Sequence, residues 1–212
     1  MSGAAPESVG RLFRRISLPL AAGAALNQLN RAITGVIAPD LADAFALSAA
    51  DLGFLGAVFF AAYGVAQLPV GSALDRHGPR RVQASLALVS AAGFLACAAA
   101  PDVVTLALGR ILCGLGLAAG LMAMLKASSQ WYPKERVAAV TGAGLFLAGM
   151  GGMTATVPVQ SALPFLGWRG IFVVLAAAAP RAAGADLAVV AGPPAASHGA
   201  VRRCLLDGIG ER

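Results

Sequence analysis

The chemistry that this sequence could carry is concentrated in a polar stripe within its first apolar segment. Asn27, Asn30, Arg31 and Thr34 stand at helical positions i, i+3, i+4 and i+7, so they share one face of about 100° on an otherwise apolar helix. A second arginine, Arg110, lies in the fourth apolar segment, at a similar depth of about seven residues, or about 10 Å. Burying an arginine in hydrocarbon is costly, so both guanidinium groups should face a bundle interior or an aqueous cavity.

The two arginines favour a binding site for an anion. The first five apolar segments contain no Asp or Glu, so neither guanidinium has an acidic neighbour within them. A planar guanidinium binds a carboxylate through two parallel hydrogen bonds. We therefore predict that Asn27, Asn30, Arg31, Thr34 and Arg110 form a site for a small organic anion. The alternative is that Arg31 snorkels to the membrane interface.

The composition predicts an integral membrane protein. Of the 212 residues, 58% are hydrophobic and 12% are charged, and the mean hydropathy is +0.76, whereas an ordinary soluble domain has roughly 25% charged residues. The formal net charge of +6 comes from short basic clusters between apolar runs, a pattern typical of cytoplasmic loops rather than of a nucleic-acid surface. The three cysteines form no CxxC pair, so no metal site or disulfide framework is predicted.

Six apolar segments predict an all-α bundle of six transmembrane helices. Their approximate bounds are 16–38, 52–70, 82–100, 103–125, 137–163 and 168–179, and all but the last approach or exceed the ~20 residues that a span needs. Basic residues cluster on one side of these segments and acidic residues on the other, so the positive-inside rule places the basic N-terminal segment 1–15 in the cytoplasm. We expect a multi-pass protein of the plasma (inner) membrane. Cleavage of the first segment as a signal peptide is an alternative that its spanning length disfavours.

Small residues at helical spacing predict where the helices touch. One such face in the second segment contains Gly53, Ala57, Gly64 and Gly71, and one in the fourth contains Gly109, Cys113, Gly116 and Gly120. The fifth segment has two faces of this kind, one through Gly142, Gly149 and Gly152 and one through Gly144, Gly151 and Ala155. Such faces allow close approach of helix backbones.

Residues 180–212 are predicted to lie outside the bundle. They are rich in Ala, Gly, Pro and Arg and lack any periodicity, which is typical of a disordered tail. Translation of a shifted reading frame in a GC-rich gene would give the same composition. Both interpretations are open at this point.

The turn after the second segment resembles the signature motif of the major facilitator superfamily, a pattern G-x-x-x-D-R-x-G-x-R-R. It is filled here by Gly71, Asp75, Arg76, Gly78, Arg80 and Arg81. The glycines after Arg110, at Gly114 and Gly116 and continuing to Gly120, resemble the second motif of that superfamily, and Gly167-Trp168-Arg169 resembles a third. The resemblance covers about residues 16–179. It implies one six-helix half of a transporter, built from two inverted three-helix repeats.

This resemblance implies transmembrane solute transport by alternating access, with no cofactor and no enzyme activity. The placement of Arg31 and Arg110 resembles that of the anion:cation symporters, whose arginines on the first and fourth helices engage the substrate. Those proteins often carry an acid just before the first arginine for proton coupling, and Asn30 stands there in this chain. In the superfamily the aspartate at the position of Asp75 contacts a helix of the second half, so the loop acts as a conformational latch, and Arg169 is expected to be a structural anchor.

The expected partners are the lipid bilayer, a small anionic solute and a second six-helix half, supplied by homodimerisation or by a separate chain; nucleic acid is not expected. Two alternatives stay open. The chain could be a truncated or frameshifted fragment that does not transport, or, from another class, a membrane scaffold. A scaffold gives no reason for arginines in mid-membrane.

Overall fold

The computed structural model describes residues 17–154 and 157–189. All regular structure in these ranges is helical. The helices are α1 (Leu18–Val36), α2 (Ala38–Phe45), α3 (Ala49–Ala99), α4 (Val103–Leu117), α5 (Gly120–Trp131), α6 (Lys134–Thr154) and α7 (Val157–Val189). The predicted cytoplasmic segment 1–15 and residues 190–212 of the predicted tail lie outside the described residues.

Five stretches of the described residues are long and apolar enough to cross a membrane. They are Ala49–Pro79, Arg81–Ala99, Val103–Trp131, Lys134–Met153 and Val157–Arg181. Helix α1, the predicted first span, is not among them because its polar stripe lowers its hydropathy, yet its 19 residues measure about 28 Å, close to the thickness of the hydrocarbon layer. It packs against α5, α6 and α7, so α1 lies in the bundle together with the five apolar spans.

Two glycines with positive φ interrupt the two longest helices. Gly78 (φ 78°, ψ 160°) divides the 51-residue α3, and Gly167 (φ 64°, ψ 170°) divides α7. This backbone region is accessible essentially only to glycine. The polar turn that we expected between the second and third spans is therefore a break at one residue, with helix on both sides. The two breaks have almost the same conformation at corresponding positions, as two inverted repeats require.

The last helix differs from its predicted bounds. Helix α7 begins at Val157, before the glycine break, and passes through Pro180 to Val189. The helix thus includes the first ten residues of the segment 180–212 that the sequence assigned to a tail.

Glycines of the fourth span let its backbone touch neighbouring helices. A Cβ added at Gly116 would lie 2.3 Å from the backbone nitrogen of Ser90, and one at Gly114 would lie 2.5 Å from the carbonyl oxygen of Phe59. A Cβ added at Gly120 would lie 3.3 Å from the carbonyl oxygen of Gly23 on α1. The small-residue face predicted in the fourth segment is therefore a packed interface on both α3 and α1.

The small-residue face of the second span makes no such contact within the described residues, so the interface predicted there has no partner in this part of the chain. A Cβ added at Gly53, Gly64 or Gly71 would meet nothing within 4 Å among the described residues. On the fifth span, Gly144 packs against Met124 and Gly151 packs against α1. A Cβ added at Gly142 or Gly149 would meet nothing within 4 Å among the described residues, and we call such positions open.

Two N-caps define where the second and fourth spans begin. Ser48 and Asp51 form a reciprocal capping box at the start of α3. At the start of α4 the Asp102 carboxylate accepts a hydrogen bond from the Thr105 N–H at 2.7 Å. This hydrogen bond holds the pKa of the Asp102 carboxyl below its ordinary value.

Candidate solute-binding site

The polar stripe of α1 is divided between two environments. Successive residues of a helix are 100° apart, so Arg31 and Thr34, three positions apart, point about 60° away from each other. Arg31 lies against α3 and lines a cavity, whereas Thr34 contacts Arg110 of α4 and Asn30 is fully buried. Asn27 lies between them on the wheel. The five predicted site residues are thus close together but do not line one pocket.

A cavity of about 150 Å³ surrounds the Arg31 side of the stripe. Helices α1, α3, α5 and α6 enclose it, and its polar lining consists of Asn27, Gln28, Arg31 and Tyr63. The Arg31 guanidinium lies over the Tyr63 ring at 4.7 Å and over the Phe60 ring at 5.3 Å, measured to the ring centroids. Two aromatic faces hold the charge through cation–π attraction but supply no anion.

Arg110 does not line this cavity and is buried on α4, where it contacts α1. It is 1% exposed, and its Nη2 donates a hydrogen bond to the Thr34 hydroxyl at 2.8 Å. The guanidinium also lies 5.6 Å from the centroid of the Phe172 ring on α7. The Thr34 hydroxyl in turn donates to the Asn30 carbonyl oxygen at 3.1 Å. Arg110 therefore braces α1 against α4 in this conformation.

Several buried donors and acceptors around both arginines lack partners. Within the described residues, Arg31 Nε, Arg110 Nε and Arg110 Nη1 make no hydrogen bond, and neither does the amide of the fully buried Asn30. No salt bridge to Arg31 or Arg110 occurs in the same part of the chain. Native structures satisfy most buried polar groups, so this cluster is an exception. A carboxylate is the group that would satisfy a guanidinium with free parallel donors.

The basic end of the bundle carries the motif residues around Gly78. Asp75 forms an ion pair with Lys126 on α5, whereas the resemblance implied a partner for Asp75 in the second half. The Asp75 side chain is 75% exposed, so the pair stabilises the fold little. The side chains of Arg76 and Arg81 are exposed, and the backbone of Arg80 is helical.

The third motif lies at the opposite end. Arg169 Nη2 donates a hydrogen bond to the carbonyl oxygen of Ala100 at 2.9 Å, just past the end of α3. Its guanidinium lies 4.3 Å from the Trp168 ring, which also packs on Phe45 of α2. Gly167 supplies the break that places these two side chains there. These contacts are the physical basis of the anchoring role expected for Arg169.

Two residues outside the predicted site, Gln28 and Tyr63, also line the cavity. Gln28 stands three positions before Arg31 and lies on the same side of α1. Tyr63 on α3 accepts a hydrogen bond from the Asn27 amide at 3.4 Å. A search for polar residues around Arg31 on the helical wheel would have found Gln28.

This fold and this site define a multi-pass membrane bundle with a cationic site in its interior. The family model of the Major Facilitator Superfamily matches residues 20–198. The chain therefore belongs to the major facilitator superfamily, as the motifs predicted.

Relatives and solved structures agree with this assignment. The chain is 35% identical to the human monocarboxylate transporter 11 over 74% of the chain and 34% of that protein. It is 32% identical to the probable L-galactonate transporter of Escherichia coli K12, over 79% of the chain and 37% of that protein. It is 34% identical to the hexuronate transporter of the same strain, over 72% of the chain and 35% of that protein. These relatives are transporters, not enzymes.

The fold is similar to one half of solved transporter structures. A bacterial homologue of the human lysosomal transporter Spinster, inward-facing and occupied, superposes with a TM-score of 0.71 at 19% identity, over 91% of this chain and 46% of that one. The inward-open xylose transporter XylE from E. coli superposes with a TM-score of 0.67 at 20% identity, over 84% of this chain and 48% of that one. The chain thus spans about a third of the length of the curated relatives that it matches, and less than half of these solved structures.

Proposed function

We propose that this chain takes part in transmembrane transport of a small organic anion by alternating access, with the substrate carboxylate bound by Arg31. One observation carries the proposal. The Arg31 guanidinium lines a cavity inside the bundle, and the described residues offer it two aromatic rings and no anion. An incoming carboxylate would gain a charge-assisted, two-point interaction in a region of low dielectric constant.

The rest of the cavity lining favours a hydroxylated acid. The amides of Asn27 and Gln28 and the phenol of Tyr63 stand around Arg31, and amides can both donate to and accept from hydroxyl groups. Relatives are named as transporters of L-galactonate, galacturonate and hexuronate, and others as monocarboxylate transporters. A carboxylate is common to these solutes. We propose a sugar acid as the better fit, because an apolar monocarboxylate would leave the buried amide oxygen of Asn27 without a hydrogen-bond donor.

We further propose that a second six-helix unit completes the site. The cavity volume of about 150 Å³ is below the roughly 300–1,000 Å³ of most ligand pockets. Gly149 lines this cavity and has nothing within 4 Å of its added Cβ among the described residues. A homodimer or a separate chain would supply the missing wall. The basic end of the bundle faces the cytoplasm and the protein resides in the plasma (inner) membrane in this proposal.

The competing function is that of a fragment that binds but does not transport. The open glycine positions on the second and fifth spans favour it, because a half without its partner would leave such faces uncovered. Transport and binding measurements separate the two.

The test is uptake of labelled galacturonate into proteoliposomes, together with equilibrium binding to the detergent-solubilised chain. Arg31→Gln should weaken binding at least about 30-fold, since truncating one member of a buried charge pair costs about 2–5 kcal/mol. Arg136→Gln, which removes an exposed cation outside the cavity, is the matched control and should bind as the parent does. The neutral sugar galactose should not compete.

Three results discriminate between a transporter and a fragment that binds without transport. Uptake that Arg31→Gln abolishes supports transport. Binding that Arg31→Gln abolishes, without uptake by the parent in a monomeric or dimeric form, supports the anion site and identifies a fragment. Galacturonate binding that is equal in the parent and in Arg31→Gln refutes the site.

A further inference from the structure

A second, larger crevice lies on the outside of the bundle, between the second and third spans. Its volume is about 640 Å³, and α3 forms both walls because it turns back on itself at Gly78. The second span contributes Val65, Pro69 and Ala73, and the third contributes Ser85 and Val89. The crevice is independent of the Arg31 cavity, with which it shares no lining residue.

The length of the crevice matches the depth of one membrane leaflet. Its lining on the second span runs from Val65 to His77, which is about 18 Å along a helix. The hydrocarbon layer of a bilayer is about 30 Å thick, so one leaflet measures about 15 Å. The apolar part of the crevice thus extends from the basic end of the bundle to about the membrane centre, the distance that one acyl chain covers.

The mouth of the crevice is cationic. His77 and Arg81 line it on either side of the Gly78 break, and no acidic residue lines it within the described part of the chain. The nearest acid along the chain, Asp75, is paired with Lys126 on α5 and so does not neutralise the mouth. An apolar channel that ends at a guanidinium complements a lipid with an apolar tail and a phosphate head.

A second six-helix unit would not fill this crevice. On the helical wheel of the second span, Ala73 and Pro69 lie about 180° and 140° from Gly64. Gly64 belongs to the open glycine face on which another helix bundle could pack. The crevice therefore stays accessible to lipid even when the glycine face is covered.

We propose that the crevice between the second and third spans binds one anionic glycerophospholipid. One acyl chain lies between the two walls, and the phosphate group accepts hydrogen bonds from Arg81, with His77 at the other side of the mouth. In the orientation proposed above, this lipid belongs to the cytoplasmic leaflet. The bound chain fills the space between two spans that the fold itself leaves unpacked, and so it stabilises their relative position.

Native mass spectrometry of the purified full chain, titrated with dioleoylphosphatidylglycerol or dioleoylphosphatidylcholine, tests the proposal. The chain should bind one phosphatidylglycerol more tightly than phosphatidylcholine. Arg81→Gln should weaken phosphatidylglycerol binding about fivefold, the effect of one basic residue near the headgroups. It should weaken phosphatidylcholine binding less, because the choline cation offsets the charge of the phosphate group. Ser85→Phe, which fills the crevice and keeps its charge, should weaken both lipids.

The control is Arg136→Gln, which removes an exposed positive charge at the same end of the bundle but outside the crevice. An equal loss in Arg136→Gln and Arg81→Gln would overturn the proposal, because it would mean attraction by net charge alone. Displacement by glycerol phosphate at the same concentration as the lipid would also overturn it in favour of a free-anion site. Disruption of an oligomer by Ser85→Phe would identify the crevice as a protein interface and refute the lipid site.

Discussion

Replacement of Gly116 by alanine tests the packing of the fourth span, and the structure gives its magnitude. The added Cβ would lie 2.3 Å from the backbone nitrogen and 2.6 Å from the Cα of Ser90. An ordinary contact begins at 3.4 Å, so α4 and the third span must separate by about 1.1 Å. The atoms in conflict belong to the backbone of Ser90 and cannot rotate away. Such overpacking costs about 1–3 kcal/mol.

Thermal unfolding of the detergent-solubilised protein, followed by far-UV circular dichroism, measures this cost. For a chain of this size, a loss of 1–3 kcal/mol lowers the Tm of Gly116→Ala by about 2–12 °C relative to that of Gly53→Ala. Gly53→Ala is the matched control, since its Cβ meets nothing within 4 Å in the described structure, while both substitutions gain the same helix propensity of about 1 kcal/mol. A Tm for Gly116→Ala equal to or above that of Gly53→Ala would refute the close backbone contact.

Three further predictions concern the breaks, the buried Arg110 and the cap of the fourth span. Gly78→Ala and Gly167→Ala should each lower the free energy of unfolding by about 1–3 kcal/mol in a denaturant titration, because both positions require a positive φ. Thr34→Val should destabilise by a similar amount, about 1–3 kcal/mol, because it removes the hydroxyl that accepts from Arg110, its one acceptor among the described residues, whereas Thr34→Ser should retain stability. Asp102, whose pKa is lowered by its capping hydrogen bond, stabilises the fold above its unfolded pKa of about 3.9. That contribution is lost as the pH falls through the lower folded pKa, so Asp102→Ala should flatten the acid limb of a stability–pH profile.

The sequence was sufficient for the family and for the location of most of the apolar helices. Hydropathy located the spans, and the motif around Gly78 identified the superfamily, because both depend on local composition and spacing. The break at Gly167 was also visible in sequence as a short motif. The stripe containing Arg31 was found because helical periodicity alone places such residues on one face.

Contacts between distant segments could not be predicted in the same way. The sequence could not reveal that Arg110 is buried against α1 while Arg31 lines a cavity, because the difference depends on which helix packs against each side of α1. The pair Asp75–Lys126 joins residues 51 positions apart, and no periodicity relates them. For the same reason the glycines of the second span looked like an interface, although spacing cannot tell which side of a helix has a neighbour.

The open glycine positions and the incomplete cavity lie on neighbouring sides of the bundle. On the second span, Phe60, which holds Arg31, is about 40° from Gly64 on the helical wheel, so the open glycine face borders the side that faces the cavity. On the fifth span Gly149 is open and also lines the cavity. A second unit that covered both glycine faces would therefore also close the cavity over Arg31. In the proposal made above, one surface of the second unit would thus cover the open glycine faces and close the anion site.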